Sequence, residues 1–215
     1  YLRDTEDLDF AFNYTESNPD ELNVTVGTEN TVFTVIPGGT DVEASRTVSY
    51  TDLPGNGTYD LKLNLTNTAG LYGTDSEASS VIIDSFAPGD LSIDAPGSKR
   101  YLTSSDSLGV EYSYTEANPD WTNIRLINSS NEEGLSINVS ESSSNPDNTV
   151  DFTSLENLAE GVNYSIEVEA SDKVGRTAVV TDSNLLVVDD TAPVLRDPRK
   201  VSDGVYRFDI FDNAS

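Results

Sequence analysis

Tyr59-Asp60-Leu61-Lys62-Leu63-Asn64-Leu65-Thr66 decides the fold of this chain. Tyr59, Leu61, Leu63 and Leu65 share one phase of a two-residue period, and Asp60, Lys62, Asn64 and Thr66 share the other. An extended strand with one dry and one wet face sorts side chains in this way; a helix would scatter them around a cylinder. Tyr164, Ile166, Val168 and Ala170 repeat the pattern against Ser165, Glu167 and Glu169, and Phe10, Phe12 and Tyr14 match Val110, Tyr112 and Tyr114. Turn signals separate the alternating runs at Pro37-Gly38-Gly39, Pro54-Gly55-Asn56-Gly57, Asn145-Pro146-Asp147-Asn148 and Ala159-Glu160-Gly161. No run keeps helical spacing, so the chain is expected to be all-β.

Working outward, the chain copies itself. Tyr14-Thr15-Glu16-Ser17-Asn18-Pro19-Asp20 returns as Tyr114-Thr115-Glu116-Ala117-Asn118-Pro119-Asp120, a spacing of 100. The stretch from Tyr59 through Asn67-Thr68-Ala69-Gly70 to Asp84-Ser85-Phe86-Ala87-Pro88 returns from Tyr164 through Asp172-Lys173-Val174-Gly175 to Asp189-Asp190-Thr191-Ala192-Pro193, a spacing of 105. A third copy begins after Pro193, where Val205-Tyr206-Arg207-Phe208-Asp209-Ile210 resumes the alternation. The expected organisation is therefore a module over 1–86 with its first strand missing, a complete module over 87–191, and the start of a third over 192–215. Short strands, frequent turns and a repeat of this length fit β-sandwiches of about seven strands each. The Pro-containing junctions are brief, and proline restricts both its own φ and the residue before it, so they are expected to act as stiff spacers.

A Tyr-x-Leu/Ile-x-Leu/Val strand, then an Asn/Asp-x-x-Gly turn, then a last strand closing on Asp-x-x-Ala-Pro resembles the tandem Ig-like (fibronectin or bacterial-Ig type) modules of bacterial and archaeal surface proteins. With its acidic composition the chain is similar to haloarchaeal S-layer glycoproteins and adhesin-like surface proteins. The resemblance implies tandem Ig-like β-sandwiches joined end to end, and a secreted, cell-surface location.

The formal net charge is −26, from 38 acidic and 12 basic residues in 215. That balance argues against nucleic acid, whose phosphates need clustered Lys and Arg, and against anionic membranes. The acids are spread among alternating apolar residues, which make up 36% of the chain, so they read as the skin of a folded protein and not as a disordered tail. In dilute buffer such a skin repels itself; in molar salt the Debye length falls to about 3 Å and the repulsion is screened. Lysine stands only at Lys62, Lys99, Lys173 and Lys200, a scarcity that agrees with a halophilic, archaeal source. Without Cys or His there is no disulfide, no thiolate or imidazole metal site and no Ser-His-Asp triad. No apolar stretch reaches the length of a membrane span.

Three kinds of candidate site remain. Asn-x-Ser/Thr acceptors for N-linked glycans stand at Asn13, Asn23, Asn56, Asn64, Asn128, Asn138, Asn163 and Asn213. Carboxylates that could gather at one end of a module and hold Ca2+, the one cofactor the sequence suggests, are Glu16, Asp20, Asp84, Glu116, Asp120, Asp172, Asp189 and Asp190; the competing reading is that Asn-Pro-Asp is turn chemistry alone. Trp121 is expected in the core. No catalytic constellation is present. The functional expectation is a non-enzymatic structural segment of a surface layer, filament or adhesin stalk that self-associates; the alternative is a binding module, such as an adhesin arm, a carbohydrate-binding accessory domain or a halovirus spike.

Overall fold

A computed structural model describes residues 1–34 and 36–211, apart from the side chains of Asn184 and Phe211. It is an all-β structure whose chain divides into two compact units, Tyr1–Phe86 and Ala87–Ser215.

The first unit contains β1 (Leu2–Arg3), β2 (Leu8–Glu16), β3 (Pro19–Val26), β4 (Glu29–Phe33), β5 (Gly39–Val48), β6 (Gly57–Asn67) and β7 (Tyr72–Asp84). One sheet runs in the order β1-β7-β6-β3-β4, and the other pairs β2 with β5. The period-two faces are where the sequence puts them. Leu22, Val24 and Val48 are buried between the sheets, with Phe10, Phe12, Phe33, Leu61, Leu63 and Leu65 packed half-buried around them. A second cluster of Val26, Val81 and Ile83 closes the other end.

The second unit repeats this plan with β9 (Arg100–Leu102), β10 (Leu108–Thr115), β11 (Pro119–Asn128), β12 (Glu133–Ser140), β13 (Asp147–Phe152), β14 (Asn163–Asp172) and β15 (Thr177–Val188). It adds a strand in front, β8 (Gly89–Ala95), which pairs antiparallel with β10 and so gives the order β13-β10-β8; the facing sheet is β12-β11-β14-β15-β9. The extra strand has a visible effect on burial. Ile166, Val168 and Ala170 are fully buried here, whereas their counterparts Leu61, Leu63 and Leu65 are only half-buried. A cleft of about 720 Å³ in the first unit runs between β2 and the β6–β7 pair, lined by Phe12, Tyr14, Leu63, Leu65, Leu71 and Tyr72 among others. It lies along the flank of β2 that has no partner strand among the described residues, the flank that β8 covers on β10.

In both units the first strand of the larger sheet lies parallel to the last. Leu2 and Arg3 of β1 pair with Ile83 and Asp84 of β7, and Arg100, Tyr101 and Leu102 of β9 pair with Leu186, Val187 and Val188 of β15. Beyond Pro193, β16 (Val194–Ser202) and β17 (Val205–Phe211) form an antiparallel hairpin, with Leu195, Val201, Tyr206, Phe208 and Ile210 exposed.

Trp121 differs from expectation. Thr122, Ile124 and Leu126 take the inward phase of β11, so Trp121 falls on the outward phase with Asn123 and Arg125 and is half-buried on that face. The same phase is written in the first copy, where Glu21 precedes the inward Leu22, Val24 and Val26, so the outward position of Trp121 follows the alternation of its strand.

Candidate functional site

The repeated Glu-x-Asn-Pro stretch forms the turn that carries the chain from one sheet to the other. In the first unit Glu16 Oε1 accepts a hydrogen bond from the Asn18 N–H at 3.0 Å, and the Thr68 N–H donates to the Asn18 carbonyl at 3.0 Å. In the second unit Glu116 Oε1 accepts from the Asn118 N–H at 2.8 Å, and the Lys173 N–H donates to the Asn118 carbonyl at 3.0 Å. The partner loop is also repeated. Asn67 Oδ1 accepts from the N–H groups of Ala69 and Leu71, each at 3.0 Å; Asp172 Oδ1 accepts from those of Val174 at 2.9 Å and Arg176 at 2.8 Å. Gly70 and Gly175 end these turns at φ +81° and +75°, a backbone region that disfavours any side chain.

The two loops part at the last atom. Asn67 Nδ2 donates to Glu16 Oε2 at 3.2 Å, a neutral donor meeting a carboxylate. The Asn18 N–H first and the Asn67 amide second hold the Glu16 carboxyl below the usual carboxylate range. In the second unit the amide is replaced by a carboxylate. An oxygen of Asp172 lies within 4.8 Å of an oxygen of Glu116, and both residues are buried. Asp172 Oδ2 has no hydrogen-bond partner among the described residues.

The other expected calcium ligands are placed as follows. Asp20 and Asp120 are exposed. Asp84 closes β7, is buried, and accepts a hydrogen bond from the Phe86 N–H at 3.3 Å. Asp189 accepts from the Thr191 N–H at 3.2 Å within its own turn, and Asp190 from the Ser104 N–H at 2.8 Å, which ties the segment after β15 to the loop after β9.

Of the expected glycan acceptors, Asn13, Asn56, Asn138 and Asn163 are exposed. Asn56 Oδ1 accepts from the Ser85 N–H at 2.9 Å, and Asn163 Oδ1 from Lys99 Nζ at 2.8 Å. Asn23 and Asn64 sit opposite each other on β3 and β6, half-buried, each with its Oδ1 closed off from solvent and unpartnered. Asn128 folds back on its own turn, accepting from Ser130 and Glu132 and donating to the Glu132 carboxylate. Asn213 lies outside the described residues.

One buried polar centre was not anticipated. Glu141, 8% exposed, accepts hydrogen bonds from the Tyr112 hydroxyl at 2.7 Å, the Thr122 hydroxyl at 3.0 Å and the Asn148 amide at 3.0 and 3.3 Å. Tyr112 and Thr122 belong to facing sheets, so the carboxylate ties the sandwich together across its core. The signal was in the repeat: the inward positions held by Phe12 and Leu22 in the first copy carry Tyr112 and Thr122 in the second. Two hydroxyls added to a core need a buried acceptor.

The solved structures to which this chain is similar include three of low sequence identity. They are the fibronectin(III)-like modules of CbhA from Clostridium thermocellum, at 14% identity over 87% of this chain and 87% of that one, with a TM-score of 0.44; a Ca2+-stabilized adhesin with which an Antarctic bacterium reaches out and binds ice, at 18% identity over 90% of this chain and 48% of that one, with a TM-score of 0.43; and a chimeric titin Z1Z2 carrying a peptide from decorin, at 13% identity over 88% of this chain and 92% of that one, with a TM-score of 0.34. No family model and no curated protein matches the sequence. The modules are Ig-like β-sandwiches, as the sheet orders and registers above establish.

Proposed function

We propose that the chain is a structural segment of an extracellular surface-layer, filament or adhesin stalk protein, non-enzymatic, from a halophilic archaeon. The observation that carries the reading is the parallel pairing of the terminal strands of the larger sheet, β1 with β7 and β9 with β15. A pull on the two ends of such a sheet loads the inter-strand hydrogen bonds together, in shear, where an antiparallel terminal pair would open one bond at a time. What the sequence repeats is also what closes the sandwich: the Glu-Asn turn, the Asn/Asp-x-x-Gly loop and the inward Tyr of β6 and β14. A spacer built from copies of one unit needs that closure in every copy and needs no pocket in any.

On this reading the β16–β17 hairpin opens a third module, and the open flank of β2 is where a strand answering β8 belongs. The exposed sequons Asn13, Asn56, Asn138 and Asn163 carry glycans on wet faces, and copies of the protein self-associate into an array or fibre. Single-molecule pulling on the full chain tests the mechanical reading. Each unit is expected to give its own force peak, lengthening the chain by roughly 3.3–3.6 Å per released residue. Smooth extension without peaks would remove it. Labelling of source cells with an antibody against the chain tests the location: signal confined to the cytoplasm overturns it.

A further inference from the structure

We infer that Glu116 and Asp172 hold a calcium ion in the second unit, at the point where the first unit uses the Asn67 amide instead. The inference stands on the geometry of the loops and is independent of the mechanical reading.

Turn chemistry explains only half of Asp172. Its Oδ1 accepts the N–H groups of Val174 and Arg176, as Asn67 Oδ1 accepts those of Ala69 and Leu71. An asparagine would serve the turn equally, and in the first unit it does. The second carboxylate oxygen serves no turn. It is buried in a residue with no solvent exposure and finds no hydrogen-bond donor among the described residues. Its carboxylate stands beside that of buried Glu116, where the amide at the matching position of the other copy donates a hydrogen bond. Two carboxylates out of water and close together favour a cation between them, and the orphan oxygen of Asp172 is a ligand position for one. At neutral pH, among oxygen ligands in an irregular loop, the cation that suits them is Ca2+, which accepts six to eight oxygens without strict geometry and completes its shell with water; Mg2+ demands a near-ideal octahedron.

The experiment uses the full chain, stripped with a chelator, in low and in molar NaCl. Calorimetric titration with CaCl2 is expected to show binding in roughly the 10⁻⁴–10⁻³ M range that extracellular modules use. The melting temperature of the second unit is expected to rise by several degrees at saturation, with no response to MgCl2 at the same concentration. Asp172→Asn is the decisive variant, because it rebuilds the first unit's amide–carboxylate contact. It is expected to fold, to melt higher than the wild type without calcium, and to lose at least tenfold in calcium affinity. A wild type that binds no calcium overturns the inference. So does a chain whose stability ignores calcium. An Asp172→Asn variant that keeps full affinity overturns the assignment of the ligand.

Discussion

At the scale of single residues, the difference between the copies is chemistry inside a shared frame. Tyr112 stands where the first copy has Phe12 and Thr122 where it has Leu22, and the two hydroxyls meet on Glu141. Burial first, and then the Glu141 hydrogen bond and charge, push the Tyr112 hydroxyl far above the ordinary tyrosine value; burial is also the main reason Tyr114 is pushed up to about 12. A group whose folded value is raised stabilises the fold fully below its unfolded value, near 10, and that contribution is lost as pH climbs toward the folded value. The second unit should therefore hold its stability to about pH 10 and lose it steeply above. The Tyr112→Phe/Tyr114→Phe double variant should lose less over the same alkaline range in circular-dichroism melts, though it starts lower at pH 7. Tyr112→Phe alone should cost about 1.5–3 kcal/mol in urea titration, the usual scale of one hydrogen bond to a charged group.

Between strands, the outward face of the second unit is held by charge. Arg125 on β11 reaches Glu167 at 2.5 Å and Glu169 at 3.0 Å, both on β14 directly alongside. Removing the guanidinium leaves two glutamates two positions apart on one face of one strand. Arg125→Ala should destabilise the unit by about 1 kcal/mol in low salt, and by less as NaCl screens the residual repulsion. A loss that does not shrink with salt would mean that the arginine's stem packing mattered more than its charge. The strands themselves were legible from the alternation: the inward residues of β6 and β14 are those the two-residue period selects. The depth of their burial was not, because it depends on β8, which packs against one copy of the pattern and has no described counterpart on the other.

For the whole molecule, the governing quantity is the net charge of −26. The acids lie mostly on wet faces, as the alternating strands require, so their mutual repulsion opposes the compact state until salt screens it. Melting temperature should rise as NaCl goes from millimolar to molar, in both units. A flat response would sink the halophilic reading and leave the fold untouched.

The sequence by itself determined that the chain is all-β, which residues face inward, and that one plan is written twice, because alternation and turn residues are local properties that each segment carries alone. It also marked Glu116 and Asp172 as acids in repeated turns, but it marked Asp20, Asp120, Asp189 and Asp190 in the same way. Only the tertiary structure sorted them. Whether a carboxylate meets a backbone N–H, an amide, solvent or another buried carboxylate depends on which loop packs beside it, and that neighbour lies about 50 residues away along the chain in both units. Glu141 was decided at the same level, buried by hydroxyls arriving from two different sheets.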